Sequence, residues 1–82
     1  MTRFSARVNV MLKPGISDPQ GQTIERALPA LGYSGVDGVR VGKLIELSVE
    51  ADSADQARTQ IEEMCERLLA NTVIESYDVD VT

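Results

Sequence analysis

The sequence predicts one α+β domain spanning residues 1–82, with the order strand, helix, strand, strand, helix, strand (βαββαβ). Three observations carry this reading. Residues 4–12 alternate apolar and polar side chains, as a strand with one buried face does. Two segments, 24–31 and 57–69, instead repeat apolar residues at helical spacing. Between and after them, residues 39–51 and 73–81 return to alternation.

Each element has its own local logic. In the first strand Phe4, Ala6, Val8, Val10 and Leu12 share one face, and Pro14-Gly15 ends it. Asp18 is placed to cap the first helix, and Pro19 suits the position after a cap because its missing N–H has no partner there. Ile24, Ala27, Leu28 and Leu31 form that helix's apolar stripe, Pro29 disturbs its last turn, and Gly32 is placed to close it in a left-handed conformation. A hairpin is expected next. Counting parity, an odd loop over Gly42, Lys43 and Leu44 keeps Val39 and Val41 on the same face as Ile45 and Leu47. Ser53 with Gln56 three residues on is a capping-box pattern. It opens a second helix whose stripe is Ala57, Ile61, Met64, Cys65, Leu68 and Leu69, and Asn71 is expected to end it. The last strand sets Val73, Tyr77, Val79 and Val81 on one face. This is the ferredoxin-like arrangement, an antiparallel sheet with both helices on one face.

Composition removes several function classes. The net charge of −5 opposes binding to nucleic acid or to an anionic membrane. No apolar run approaches the roughly 18 residues of a membrane span, and no secretory leader precedes the first strand, so a cytoplasmic location is expected. The sequence has no His and a single Cys, so it offers no disulfide and neither the commonest general base nor a paired nucleophile. No Gly-rich phosphate loop of the GxxxxGK[S/T] type is present. No catalytic, metal-binding or cofactor-binding residue is therefore assigned. Nor does the sheet suit RNA: the outward residues Ser5, Arg7, Asn9, Met11, Glu46, Ser48 and Glu50 include no aromatic on which a base stacks.

What remains is contact with other proteins. Gly21 stands inside the first turn of the first helix, where it costs up to about 1 kcal/mol relative to Ala. That cost points to a group or partner surface lying against bare backbone there. Gln20 and Gly21, with Gly42 and Lys43 at the expected hairpin tip, are the candidate partner-interface residues, although Lys43 reads equally as a solvated turn residue. Arg7 and Arg40 are expected to flank Glu46 and Glu50 on the open sheet face. A small aliphatic core, with one Phe, two Tyr and no Trp, argues for a homodimer or higher oligomer. The alternative reading is a dimeric regulatory domain that senses a small molecule in a pocket at the dimer seam.

Three blocks of sequence favour the first reading. They are Leu12-Lys13-Pro14-Gly15 followed by Asp18-Pro19-Gln20-Gly21 and the run from Ile24 to Tyr33; residues 39–47; and residues 64–71 leading into Val73–Tyr77. In their order and spacing the chain resembles the small (PurS) subunit of phosphoribosylformylglycinamidine synthase. Thr72, where that family commonly has Pro, and Pro29 depart from the pattern at element ends. The resemblance implies a non-catalytic subunit that bridges an ATP-dependent synthetase and a glutaminase (a glutamine amidotransferase subunit). The assembled complex would use ATP and Mg, with none bound by this chain. The reaction implied is the glutamine-dependent conversion of formylglycinamide ribonucleotide to its amidine in purine synthesis.

Overall fold

The alternation that begins at Phe4 builds the central strand of the sheet. In the computed structural model, which describes all residues from Met1 to Thr82, β1 (Thr2–Leu12) lies between β2 (Lys43–Ala51) and β3 (Glu75–Val81). Both neighbours run antiparallel to it. The register sets like against like: Val8 faces Ile45 on one side and Val79 on the other. Ala6, Val8 and Val10 are consequently buried, and with Val79 they meet Ile61, Cys65 and Ala70 in one aliphatic core.

Two helices complete the α+β fold. The first, α1 (Pro19–Ala27), runs into a 3-10 turn over Leu28–Leu31, where Pro29 ends the α-helical ladder. Gly32 closes that turn at φ 98°, in the left-handed region that favours glycine. The second, α2 (Ala54–Met64), starts at Ser53, whose hydroxyl accepts from the Gln56 amide at 3.1 Å. The Gln56 side chain reaches back to the amide of Asp52, one residue before the position an ideal capping box uses. Helix α2 lies on β2 and β3 and contributes Ala57 and Ile61 to the interior. Arg58 straps it to β3 by donating to the Val79 carbonyl at 2.7 Å.

Four expectations need correction. The hairpin does not form, and residues 39–41 are not a strand. Gly42 packs against Met11 and the Val10 carbonyl, and Lys43 pairs directly with Val10, so the chain runs straight into β2 instead of turning. The sheet thus has three strands, and β2 is an uncovered edge. Next, the apolar stripe of α1 is not buried within one chain. Only Gly21 of that helix is buried, whereas Ile24 and Leu31 are 40% and 71% exposed, because α1 packs mainly on its own 3-10 turn. At the far end, α2 passes into a π-helical turn over Cys65–Leu69, which ends at Ala70 before Asn71 is reached. That turn leaves Leu69 against the core and puts Leu68 in solvent. Finally, β3 begins at Glu75, so Val73 lies in the preceding turn and is exposed.

Candidate functional site

The segment between α1 and β2 could have floated free, since no sheet ladder holds it. Two carboxylates hold it instead. Asp18 uses both oxygens: Oδ1 accepts from the Gly21 amide at 3.0 Å, capping α1, and Oδ2 accepts from the Val41 amide at 2.8 Å. About two turns further along α1, Glu25 Oε1 accepts from the Val39 amide at 2.9 Å. Alternate amides of an extended segment are thereby satisfied by helix side chains, as a neighbouring strand would have satisfied them. Residues 39–41 form a strap across the start of α1.

Arg40, between the two bonded amides, turns the other way. Its Nη2 donates to the Leu12 carbonyl at 2.7 Å, and its Nε stands 4.0 Å from Asp18 Oδ2. It therefore links the strap to the end of β1 and does not lie beside Glu46 or Glu50 as expected. On the open sheet face Arg7 stands in register with Glu46 and with Asp80, while Glu50 is paired by Arg3 at 3.8 Å. That last pair is exposed and contributes little.

The strap accounts for Gly21. A Cβ built there meets the Val39 carbonyl oxygen at 2.5 Å and Asp18 Oδ2 at 2.6 Å. The group lying against bare backbone is therefore the chain's own strap. Gly42 has the same role at the other end: its Cβ would fall 2.5 Å from the Val10 carbonyl oxygen and onto the Met11 sulfur. Its backbone is not in the left-handed region, so close approach and not a turn requires glycine there.

These contacts bring the sequence-selected residues together. Gln20, Gly42 and Lys43 line one surface depression of about 330 Å³, together with Asp18, Pro19, Glu75 and the apolar Val10, Leu12 and Val41. Gly21 is not part of that lining; it is buried between the cap and the strap. Lys43 is exposed at the first residue of β2 and not at a hairpin tip. Sequence reasoning read Asp18 as a cap alone and missed Glu25 and Arg40 as partners of the strap. The signal available for them was two acids one helical turn or more apart, on a helix followed by a turn-rich segment.

Electrostatics agree with the geometry. The amides of Gly21 and Val41 hold the Asp18 carboxyl below its ordinary value of 3.8, with Arg40 adding to the effect and burial opposing it. Cys65 is fully buried, and burial together with Glu66 and Glu62 pushes its thiol up, the reverse of what a nucleophile needs. No group of three or more His, Cys, Asp or Glu residues is placed to hold a metal ion. No helix is long and apolar enough to cross a membrane.

The chain as a whole is similar to known proteins in sequence and in fold. The family model described as PurS, phosphoribosylformylglycinamidine (FGAM) synthase, matches residues 5–82. The chain belongs to the PurS family. It is 46% identical over 79 residues to the phosphoribosylformylglycinamidine synthase subunit PurS of Synechocystis, covering 96% of this chain and 79% of that one. It is 44% identical to the PurS subunit of Bacillus subtilis, covering 95% and 92%. A chain in the structure of PurLQS from Thermotoga maritima superposes over all of both chains with a TM-score of 0.91 at 36% identity.

Two tests follow from the strap. Gly21→Ala should lower the denaturation midpoint, corresponding to about 1–3 kcal/mol of overpacking, although Ala is the better helix former by about 1 kcal/mol. A midpoint equal to or above that of the parent would contradict the close approach of Val39. The second test concerns acid. Because the folded-state pKa of Asp18 is depressed, its contribution is full above the unfolded value near 3.8 and is lost as pH falls through the folded one. Asp18→Asn should therefore melt several degrees below the parent at pH 7, with the gap narrowing below about pH 4. A gap that is constant from pH 7 to pH 3 would show that the carboxylate charge does not hold the strap.

Proposed function

We propose that this chain is the bridging small subunit of a cytoplasmic FGAM synthase, working as a homodimer or higher oligomer between a synthetase subunit and a glutaminase subunit and supporting ammonia transfer between them. Membership of the PurS family makes it a subunit of FGAM synthase, a glutamine-dependent ligase of purine biosynthesis, and not the part that does the chemistry. The observation that carries the bridging reading is the match to a chain of the PurLQS structure over the full length of both. ATP and Mg belong, in this reading, to the synthetase subunit.

The shape of the single chain supports association. Its radius of gyration is 16.5 Å, whereas a compact domain of this length has roughly 12 Å. Its accessible surface of 5736 Å² exceeds by about 900 Å² the area expected for a compact monomer of this mass. That excess is close to the roughly 800 Å² per partner that a standard interface hides. The exposed stripe of α1 and the outer edge of β2 are among the uncovered surfaces. A second copy covering them would supply the burial that one chain lacks.

Gln20, Gly21, Gly42 and Lys43 are the proposed contact of this dimer with another subunit. Gln20 and Lys43 supply exposed polar ends, while Gly21 and Gly42 let the strap and β1 close up behind them. Sedimentation of the isolated chain should show a dimer or larger species; monomer alone at micromolar concentration would remove the oligomer from the proposal. Lys43→Glu and Gln20→Ala, changed at exposed positions, should leave melting unaltered. In the reconstituted complex they should lower glutamine-dependent amidine formation severalfold, and lower the reaction driven by added ammonia less. Equal rates for parent and variants with both nitrogen sources would show that the depression is not the contact.

A further inference from the structure

The sheet has two outer edges, and the fold treats them differently. The Thr82 amide donates to the Ser5 carbonyl at 2.9 Å, so the odd-numbered residues of β1 bond β3 and the even-numbered ones bond β2. Val79, opposite Val8, therefore turns its carbonyl away from the sheet. Arg58 takes that carbonyl at 2.7 Å, which blunts the β3 edge at mid-strand. The β2 edge has no such protection. Its outward amides and carbonyls belong to Leu44, Glu46, Ser48 and Glu50, and β1 is the only strand beside it, so these groups have no ladder partner. Neither a Pro nor a bulge interrupts it: all nine residues from Lys43 to Ala51 pair with β1 in unbroken register.

A long, unprotected edge is a template for another strand, and the sequence of β2 fits one strand well, namely itself. Two copies related by a twofold axis pair antiparallel, and the residue on the axis fixes the whole register. With Leu47 on the axis the entire strand pairs, Lys43 of one copy facing Ala51 of the other. Ile45 of one copy then faces Val49 of the other, and Glu46 faces Ser48, so apolar meets apolar and no glutamate meets a glutamate. Moving the axis to Glu46 sets that residue against its own copy, and moving it to Ser48 sets Glu46 against Glu50. Like charges directly opposite are destabilising. An axis between two residues mixes the faces. Ile45, Leu47 and Val49 are only partly buried in one chain, and in this pairing each gains an apolar neighbour across the seam. We infer that β2 pairs with β2 of a second copy, with Leu47 on the twofold axis, giving one continuous sheet in the order β3-β1-β2-β2-β1-β3. The inference rests on the homodimer reading and adds to it the seam and the register. It also places the Gln20–Lys43 depressions, because Lys43 begins each β2. They fall at opposite ends of the seam, roughly 27 Å apart along the strands, so the dimer offers the same contact twice.

The test is disulfide trapping of the full-length chain under mild oxidation. The Leu47 amide points at β1, so the pair on the axis is a non-hydrogen-bonded one, with Cα atoms about 4.5 Å apart, within the range a disulfide spans. Leu47→Cys should form a covalent dimer about tenfold or more faster than Ile45→Cys alone, whose two copies stand roughly 14 Å apart. Ile45→Cys mixed with Val49→Cys should cross-link as readily as Leu47→Cys. The parent, whose one thiol is buried at Cys65, is the control. A second measurement uses Ser48→Pro, which removes an outward amide and is tolerated on an edge strand. Its circular dichroism should match the parent's. Its self-association in sedimentation should weaken about tenfold or more, because a hydrogen bond is lost on both sides of the axis. Parent-like association of Ser48→Pro, or trapping of Ile45→Cys as fast as Leu47→Cys, would overturn the seam while leaving the dimer standing. A parent that sediments only as monomer would remove the dimer, and this inference with it.

Discussion

One carboxylate governs the first half of this molecule. Asp18 caps α1 with one oxygen and holds the Val41 amide with the other, so the helix start and the approach to β2 are a single construction. Because the approach is pinned there, Gly42 must press against Val10 and Met11, and β2 must begin in register with the end of β1. A hairpin would need the chain to turn at that point, and it has no freedom to do so. The uncovered edge of β2 and the unpacked stripe of α1 both follow from that constraint. What shapes the monomer at Asp18 is thus what leaves it unfinished elsewhere.

Features set by neighbouring residues were legible in the sequence. Asp18-Pro19, Ser53 with Gln56 and Gly32 each act within one turn of helix, and each does in the structure what its chemistry indicates. The parity of β1 was equally clear, since a strand of an antiparallel sheet with one face on the core alternates whichever strands flank it. The strap was not legible. Val39 and Val41 alternate as a strand does, but alternation reports which face is turned inward and is silent about what satisfies the amides. Here the amides go to Glu25 and Asp18, 14 and 23 residues away in sequence. A glycine needed for close approach also looks the same in a sequence as one needed for a turn, and Gly42 was read as the latter.

The same distinction applies to the site. Gln20 and Lys43 were reachable from a motif and a charge, yet their adjacency depends on the strap, which brings a helix start to the first residue of a strand. Leu68 is the opposite case. By spacing it belongs to the buried stripe of α2, and only a turn one residue wider than the α-helical kind takes it out. No residue in Cys65–Leu69 announces such a turn, because Cys, Glu, Arg and Leu are all ordinary helix occupants there. It follows from where the chain must go next, towards the tight turn at Asn71 that accepts the amides of Ile74 and Glu75.

A subunit with 11 buried residues out of 82 has little core to lend to stability. Charged side chains hold its backbone where packing does not: Asp18 and Glu25 at the strap, Arg40 at the end of β1, Arg58 on β3. Such contacts fix geometry well, because each has one donor, one acceptor and a narrow range of distances. They add less to stability than burial does, since their groups lose water contacts in forming them. A chain built in this way keeps its surfaces in a definite arrangement while leaving apolar area uncovered. That combination suits a part whose stability is completed by its neighbours: binding partners that recognise only the folded form add to it by mass action.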